Sequence, residues 1–292
     1  MIYLTISGGA FYIKGMAAAV YTSIFEFGNM PSVLIGSSSG ALIAAFTAIL
    51  GVERMFEIAK KVNLQEAHAF RVFKQSGAFS LRALWRLARN KPPVIQDVSK
   101  IVLKYITGKE FADYQLDKHS PGCFILAVNV SNMERKYFDL KKCSYLEMLS
   151  ILEASCAMQG MTAPVEVNGE FFWDGGQLDH QPAAGGILEK LSRPAELQSV
   201  YSRPSAKNWN LEEFDSEEAG FFALLNRMIE ADNREKSLND ETALDYYCKD
   251  KGIKNTKICV PRVLKNFYDN NPERQRKQLQ AGRSAARWVL TP

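Results

Sequence analysis

Gly36-Ser37-Ser38-Ser39-Gly40 is the stretch with the most evident chemistry. It follows a short apolar run, Val33-Leu34-Ile35, and leads into Ala41-Leu42-Ile43-Ala44-Ala45-Phe46, a pattern that predicts strand, sharp turn, helix. In a G-x-S-x-G turn of this kind Ser38 stands at the apex. The glycines at Gly36 and Gly40 remove the Cβ atoms that would clash where strand and helix backbones pass. The Ser38 hydroxyl then sits at a helix N-terminus, where backbone N–H groups and the helix dipole favour negative charge. A serine so placed becomes a nucleophile once a base takes its proton. The competing reading is a Ser/Gly loop in which Ser39 merely caps the helix.

A base is on offer further along. Pro164-Val165-Glu166-Val167 and Glu170-Phe171-Phe172-Trp173 flank Asn168-Gly169, a strong hairpin signal because both turn positions need positive φ. The second strand delivers Asp174, and Gly175-Gly176 let the backbone turn away behind it. The competing reading is an Asp that only caps the next turn. A third stretch, Ser7-Gly8-Gly9-Ala10, follows the strand-like Met1 to Ile6. Turns of small residues between strand and helix bring backbone N–H groups up to anions. A nucleotide site is disfavoured, because the glycines do not fit G-x-G-x-x-G and G-x-x-x-x-G-K-[ST] is absent.

The elements that must position these groups read as an alternation of strands and helices. Gly15 to Phe27 predicts a helix with Met16, Val20, Ile24 and Phe27 on one side. The helix after Ser38 is apolar all round to Leu50 and is expected to be buried; Val52 to Lys61 gives an amphipathic one. In SLRALWRLARNK, Ser80 can cap a helix that puts Leu81, Leu84, Trp85 and Ala88 on one side and Arg82, Arg86 and Arg89 on the other. Such a helix suits a membrane surface or a lid; alternatively it docks on the protein's own core and its arginines are solvated. Val94 to Thr107 predicts a helix, Cys123 to Val130 a strand covered on both faces, and Arg135 to Leu140 its partner. Ser144-Tyr145-Leu146-Glu147 is a capping box. Gly186 to Leu191 is expected to be helical and Gln198 to Ser202 a strand. Residues 204–252 predict two helices, one starting at Asp215 or Ser216 and one over Asp240 to Asp250. A last strand at 253–260 precedes a helix opened by Asn271-Pro272, with Leu279, Ala285, Trp288 and Val289 on its inner face.

Composition bounds the rest. The 292 residues suit one large α/β domain, residues 1–292, with 204–252 as the candidate helical insertion. No apolar run is long enough to span a bilayer, and no basic segment followed by an apolar one marks a signal peptide, which predicts a cytoplasmic protein. Cys123, Cys143, Cys156, Cys248 and Cys259 are scattered, as expected for reduced thiols. No His, Cys and carboxylate cluster has metal spacing, and no cofactor is expected. A net charge of +4 gives no case for nucleic acid and is compatible with anionic lipid.

Ser7-Gly8-Gly9 with Lys14-Gly15, Gly36-Ser37-Ser38-Ser39-Gly40 and Asp174-Gly175-Gly176 together resemble the signature blocks of the patatin-like phospholipases, in the family's order. The run Glu153 to Gly176, EASCAMQGMTAPVEVNGEFFWDGG, is similar to the family's Ala-Ser segment, proline, hairpin and Asp-Gly-Gly. The likeness extends from the first strand to Pro182. It implies a three-layer α/β/α sandwich with a mainly parallel sheet, and a Ser–Asp dyad of Ser38 as nucleophile and Asp174 as base. It also implies an oxyanion hole from the N–H groups of Gly8, Gly9 and Ala10, aided by Ser39, with Lys14 and Gly15 supporting the loop. The expected substrate is a phospholipid or other acyl lipid, met at the inner face of a membrane through Arg82, Trp85, Arg86 and Arg89; self-association is compatible with this. Three positions depart from the family pattern. Ala10 stands for a glycine with Phe11-Tyr12-Ile13 lengthening the gap to Lys14, Gln159 stands for a proline, and His180 for an Asn. With only His68, His119 and His180 in the chain, a base without histidine is the economical reading. Its rival is a triad completed by His180. The other functions weighed are a soluble esterase or thioesterase with the same dyad, and a catalytically impaired lipid- or partner-binding module.

Overall fold

The computed structural model describes residues 1–9, 12–67, 80–202, 221–261, 263 and 271–291, with the backbone alone at 64, 65 and 221–233. Ala10, Phe11 and His68 therefore lie outside the described residues, or their side chains do, and so does the helix start expected at Asp215 or Ser216.

Eight strands make one sheet: β1 (Ile2–Ile6), β2 (Val33–Ser37), β3 (Gly122–Asn129), β4 (Arg135–Asp139), β5 (Val165–Val167), β6 (Glu170–Asp174), β7 (Glu196–Tyr201) and β8 (Lys254–Cys259). The order is β5-β6-β3-β2-β1-β7-β8, and β4 also pairs with β3. The run β3-β2-β1-β7-β8 is parallel throughout, while β4 and β6 are antiparallel to β3. Side chains alternate between faces as the strand period requires. Leu4, Ile6, Leu34 and Ile125 enter one core; Tyr3, Ile35 and Leu197 enter the other. The expected three layers with a mainly parallel sheet are what the chain forms.

The first core is covered by α1 (Ile13–Tyr21), α2 (Ser39–Leu50), α3 (Val52–Lys61), α5 (Ser99–Tyr105), α6 (Gly108–Leu116), α7 (Tyr145–Ser155) and α9 (Pro272–Leu290), with α4 (Leu81–Ala88) lying outside it. The second core is covered by 3-10 turns at Pro182–Gly185 and Ile187–Glu189 and by α8 (Phe221–Lys251), through Leu244 and Cys248. Where two helices were expected in 204–252, the described part is one continuous helix, α8, because no Gly or Pro interrupts residues 221–251. The Gly186 to Leu191 stretch forms only short 3-10 turns. The helix expected from Val94 begins at Ser99 instead. The Ser144–Glu147 capping box and the hairpin, with positive φ at Asn168 and Gly169, form as predicted. Among the described residues none of the five cysteines forms a disulfide.

Two helices bear on the faces read for them. On α4 only Ala83 is buried; Leu81, Leu84, Trp85 and Leu87 are exposed, so the alternative in which this helix docks on the protein's own core does not hold. On α9 the buried residues are Gln275, Gln278, Gly282 and Ala286, and Trp288 is 85% exposed. The part of that face against α1 is small and polar because it meets backbone, a Cβ on Gly282 standing 1.9 Å from the Gly15 carbonyl oxygen, while Ala285 and Val289 pack against the first core as expected. Among the described residues no helix is long and apolar enough to cross a membrane.

One feature of the sheet sets up the site. β4 occupies one edge of β3 from Phe124 to Val128. Both β2 and β6 must then use the other edge, one after the other. β2 ends with Ser37 opposite Leu126, and β6 enters with Asp174 opposite Ala127, the next residue. The parallel strand departs at its turn, and the antiparallel strand arrives at the same point.

Candidate active site

Ser38 occupies the turn between β2 and α2 with φ 56° and ψ −129°, a conformation a non-glycine residue adopts only under constraint. The constraint is the close packing around it. A Cβ on Gly36 would lie 2.5 Å from the Gly40 carbonyl oxygen, and one on Gly40 would lie 2.3 Å from that of Ile6. The Ser38 carbonyl accepts the Ala41 N–H at 2.9 Å, and no side chain caps α2, so Ser39 is not the cap that the competing reading required. Ser38 is half-buried, with its side chain at the mouth of the turn.

A residue to which the sequence assigned no role holds this turn in place. The Ser155 hydroxyl, at the end of α7, accepts the Ser38 N–H at 3.0 Å and donates to the Leu126 carbonyl at 2.7 Å. The Ser38 N–H is thereby committed. Ser155 sits inside the Glu153–Gly176 run, but nothing local distinguishes it; its role comes from a contact 117 positions away in the chain.

Asp174 is buried beside this turn. Its N–H donates to the Ala157 carbonyl at 2.9 Å, and its carboxylate accepts the Gly176 N–H at 2.8 Å. Burial pushes its pKa from the ordinary 3.8 up to about 6; the Ser38 side chain, the Gly176 N–H and the Ser37 hydroxyl act on the carboxylate and offset part of that rise. Ser37 Oγ is buried and makes no hydrogen bond of normal length, so its influence is exerted at longer range. Gly175 passes directly over β3: a Cβ there would lie 2.5 Å from the Leu126 carbonyl oxygen.

The loop after β1 borders the serine from the other side. A Cβ on Gly8 would lie 2.9 Å from Ser38 Cβ, so only a glycine backbone passes there. Gly9 lies against Ser202 and Met16. Ala10 falls outside the described residues. Ser39, the first residue of α2, has an N–H with no intrahelical acceptor, as any helix start does. Ser38, Asp174, Gly8, Gly9 and Ser39 are thus brought together at the C-terminal end of the parallel strands, where α/β sheets bind their ligands.

Other expected site residues lie elsewhere. Lys14 Nζ donates to the Lys60 carbonyl at 3.2 Å, bridging α1 to α3, and burial lowers its pKa. Gly15 is the contact point for α9. His180 is buried, and its backbone N–H serves the Asp240 carboxylate; it is not among the groups acting on Asp174. Arg82, Trp85, Arg86 and Arg89 lie on α4, with Arg89 over the Trp85 ring at 3.8 Å and Arg86 Nε donating to the Pro92 carbonyl at 2.7 Å. The chain leaving α4 returns to the site's flank. The Val94 N–H donates to the Met161 carbonyl and Gln96 Nε2 to the Cys156 carbonyl, each at 2.9 Å, in the segment that also receives Asp174.

A hydroxyl at a helix start, a buried carboxylate with a pKa near neutrality and glycine N–H groups alongside are the parts an acyl transfer needs. Comparison with known proteins agrees in kind. A family model described as patatin-like phospholipase matches residues 4–186, which spans the loop, the turn and Asp174. Twelve solved chains match. One of them, the crystal structure of VipD from Legionella pneumophila, aligns with a TM-score of 0.56 at 14% identity, covering 99% of this chain and 66% of that one. At that identity the likeness speaks for the fold alone, and the chain spans just under two thirds of the length of that structure. No curated protein matches the sequence.

Proposed function

The chain belongs to the patatin-like phospholipase family, a family of lipid acyl hydrolases, and from that premise we propose that it cleaves a carboxylic ester of a phospholipid through an acyl-Ser38 intermediate. The observation that carries the reading is the meeting of β2 and β6 on one edge of β3, which sets Asp174 beside Ser38. Asp174, ionised above about pH 6, takes the Ser38 proton as Oγ attacks the ester carbonyl carbon. The negative charge that develops on the carbonyl oxygen is received by the N–H groups of Gly8, Gly9 and Ser39. Each such donor typically lowers the barrier by about 3–4 kcal/mol. Collapse expels the lysolipid alcohol, which takes the proton back from Asp174. Water deprotonated by Asp174 then attacks the acyl-serine, and collapse releases the fatty acid as Ser38 Oγ takes the proton back from Asp174. The phospholipase A or lysophospholipase type follows from this bond. The exposed Leu81, Leu84, Trp85 and Leu87, with Arg82 and Arg89 beside them, support a peripheral membrane contact.

The test is turnover of mixed phospholipid vesicles by the wild type beside Ser38→Ala and Asp174→Ala, with products identified by mass. Fatty acid and lysolipid from the wild type, lost by about 10³-fold or more in each variant, are the expected outcome. Turnover of soluble short esters but not of vesicles would replace the reading with a soluble esterase. No Ser38-dependent product from any ester would leave a binding module.

A further inference from the structure

The Gly8 carbonyl is held by more contacts than a loop carbonyl ordinarily has. Ser202 Oγ donates to it at 2.7 Å and Ser7 Oγ at 3.1 Å. The same Ser7 Oγ accepts the Ser202 N–H at 2.9 Å, and the Ser7 N–H donates to the Val200 carbonyl at 3.0 Å. Both serines are fully buried. The result is a closed set of bonds between the ends of β1 and β7, with the Gly8 oxygen at its centre.

The peptide that follows has only one orientation left. In a planar trans peptide the C=O and the next N–H point in opposite directions. The Gly8 oxygen points toward Ser202 at the end of β7. The Gly9 N–H therefore points the other way, toward β2, because β1 lies between β7 and β2 in the sheet. Ser38 stands at the end of β2, with Gly8 packed against it. Among the described residues neither the Gly8 nor the Gly9 N–H has an acceptor. A glycine peptide released from this grip can rotate at little cost, since Gly reaches both signs of φ.

From this geometry we infer that Ser202 and Ser7 are positioning residues, which clamp the Gly8 carbonyl so that the Gly9 N–H is aimed at the oxyanion over Ser38. The inference rests on the hydrolase reading above and adds to it two side chains that touch no substrate. Ser202 lies 195 positions from Ser7 and beyond the span matched by the family model.

The test uses the full chain and p-nitrophenyl butyrate. Ser202→Ala is expected to lower kcat by roughly 30-fold, part of the loss for a deleted oxyanion donor, with KM within about twofold. Ser202→Thr keeps the hydroxyl and should recover most of the rate. Crystal structures of wild type and Ser202→Ala supply a readout that needs no turnover: the Gly8–Gly9 peptide should rotate in the variant. Unchanged kcat in the Ser7→Ala/Ser202→Ala double variant, or a Gly8 carbonyl that stays in place without either hydroxyl, would overturn the clamp. Should the wild type itself show no Ser38-dependent turnover, the hydrolase reading falls, and the orientation of the Gly8–Gly9 peptide still decides the clamp.

Discussion

Asp174 carries a cost that the proposed role of base explains. A carboxylate in water has no reason to hold a proton at pH 6; this one does because burial removes solvent from its charge faster than Ser38, Gly176 and Ser37 replace it. The rate of ester cleavage should therefore rise with pH through about 6 and level off above it, measured as kcat/KM on a soluble ester. Stability runs the opposite way. Between 3.8 and about 6 the folded chain keeps a proton that the unfolded chain has lost, so folding weakens as pH rises through that window. The penalty, complete above pH 6, is on the order of 3 kcal/mol at about 1.4 per pKa unit. Asp174→Asn should then melt higher than the wild type at pH 8 and lose that advantage below about pH 4, while losing activity throughout; equal melting temperatures at pH 8 would refute the burial argument. At this scale the sequence was informative wherever a residue type sits in a local pattern. Ser38, Asp174 and the paired glycines each announce themselves by their neighbours. Ser155, Ser202 and Ser37 do not, because a serine that matters through a partner more than a hundred positions away has the same local surroundings as one that does not.

At the scale of elements, the loop after β1 depends on how α1 is held, and α1 is held by α9. The contact is backbone on backbone at Gly15 and Gly282. Gly282→Ala would ordinarily gain a helix about 1 kcal/mol. Here the new methyl meets a carbonyl oxygen at 1.9 Å, and the helices must separate. A net loss of about 3 kcal/mol is expected from overpacking of this kind, read as a lower urea midpoint with an unchanged slope; an unchanged or raised midpoint would show that α9 has room to shift. For the same reason the inner face of α9 was only partly legible in the sequence: Ala285 and Val289 pack against the first core as expected, whereas Trp288 is exposed. Apolar residues at helical spacing, Leu279, Ala285, Trp288 and Val289, mark a face that packs on side chains. A face that packs on backbone is marked by Gly282 and Ala286, with Gln275 and Gln278 beside them. Gln278 is satisfied where it lies, donating to the Pro261 carbonyl and accepting the Val263 N–H, each at 3.0 Å. The strands, the hairpin and the capping box were legible because turn chemistry and period 2 are local. The long α8 was divided in two by its polar middle, although no breaker stands there.

At the scale of the whole molecule, the surface around the site has one unusual member. α4 presents Leu81, Leu84, Trp85 and Leu87 outward, and its returning chain binds the segment flanking Asp174. Replacing Arg82, Arg86 and Arg89 together with Ala should weaken sedimentation with vesicles of one part phosphatidylserine to three of phosphatidylcholine by about tenfold. The effect should shrink at high salt, and hydrolysis of a soluble ester should be unaffected. Binding equal to wild type at low salt would remove α4 from the membrane surface. The fold class itself was the most legible feature, since alternating strands and helices with apolar strands admit few arrangements. Which edge of β3 receives which strand was not legible, because the choice is made by long-range pairing. The closure of α9 on α1 also bears on the order in which the chain is made. Ser38 and Asp174 both precede α9 in the chain, so synthesis delivers them before the helix that packs on α1 through Gly15 and Gly282. On the proposed reading, the loop after β1 is unbraced until residues 272–290 have emerged and closed on α1.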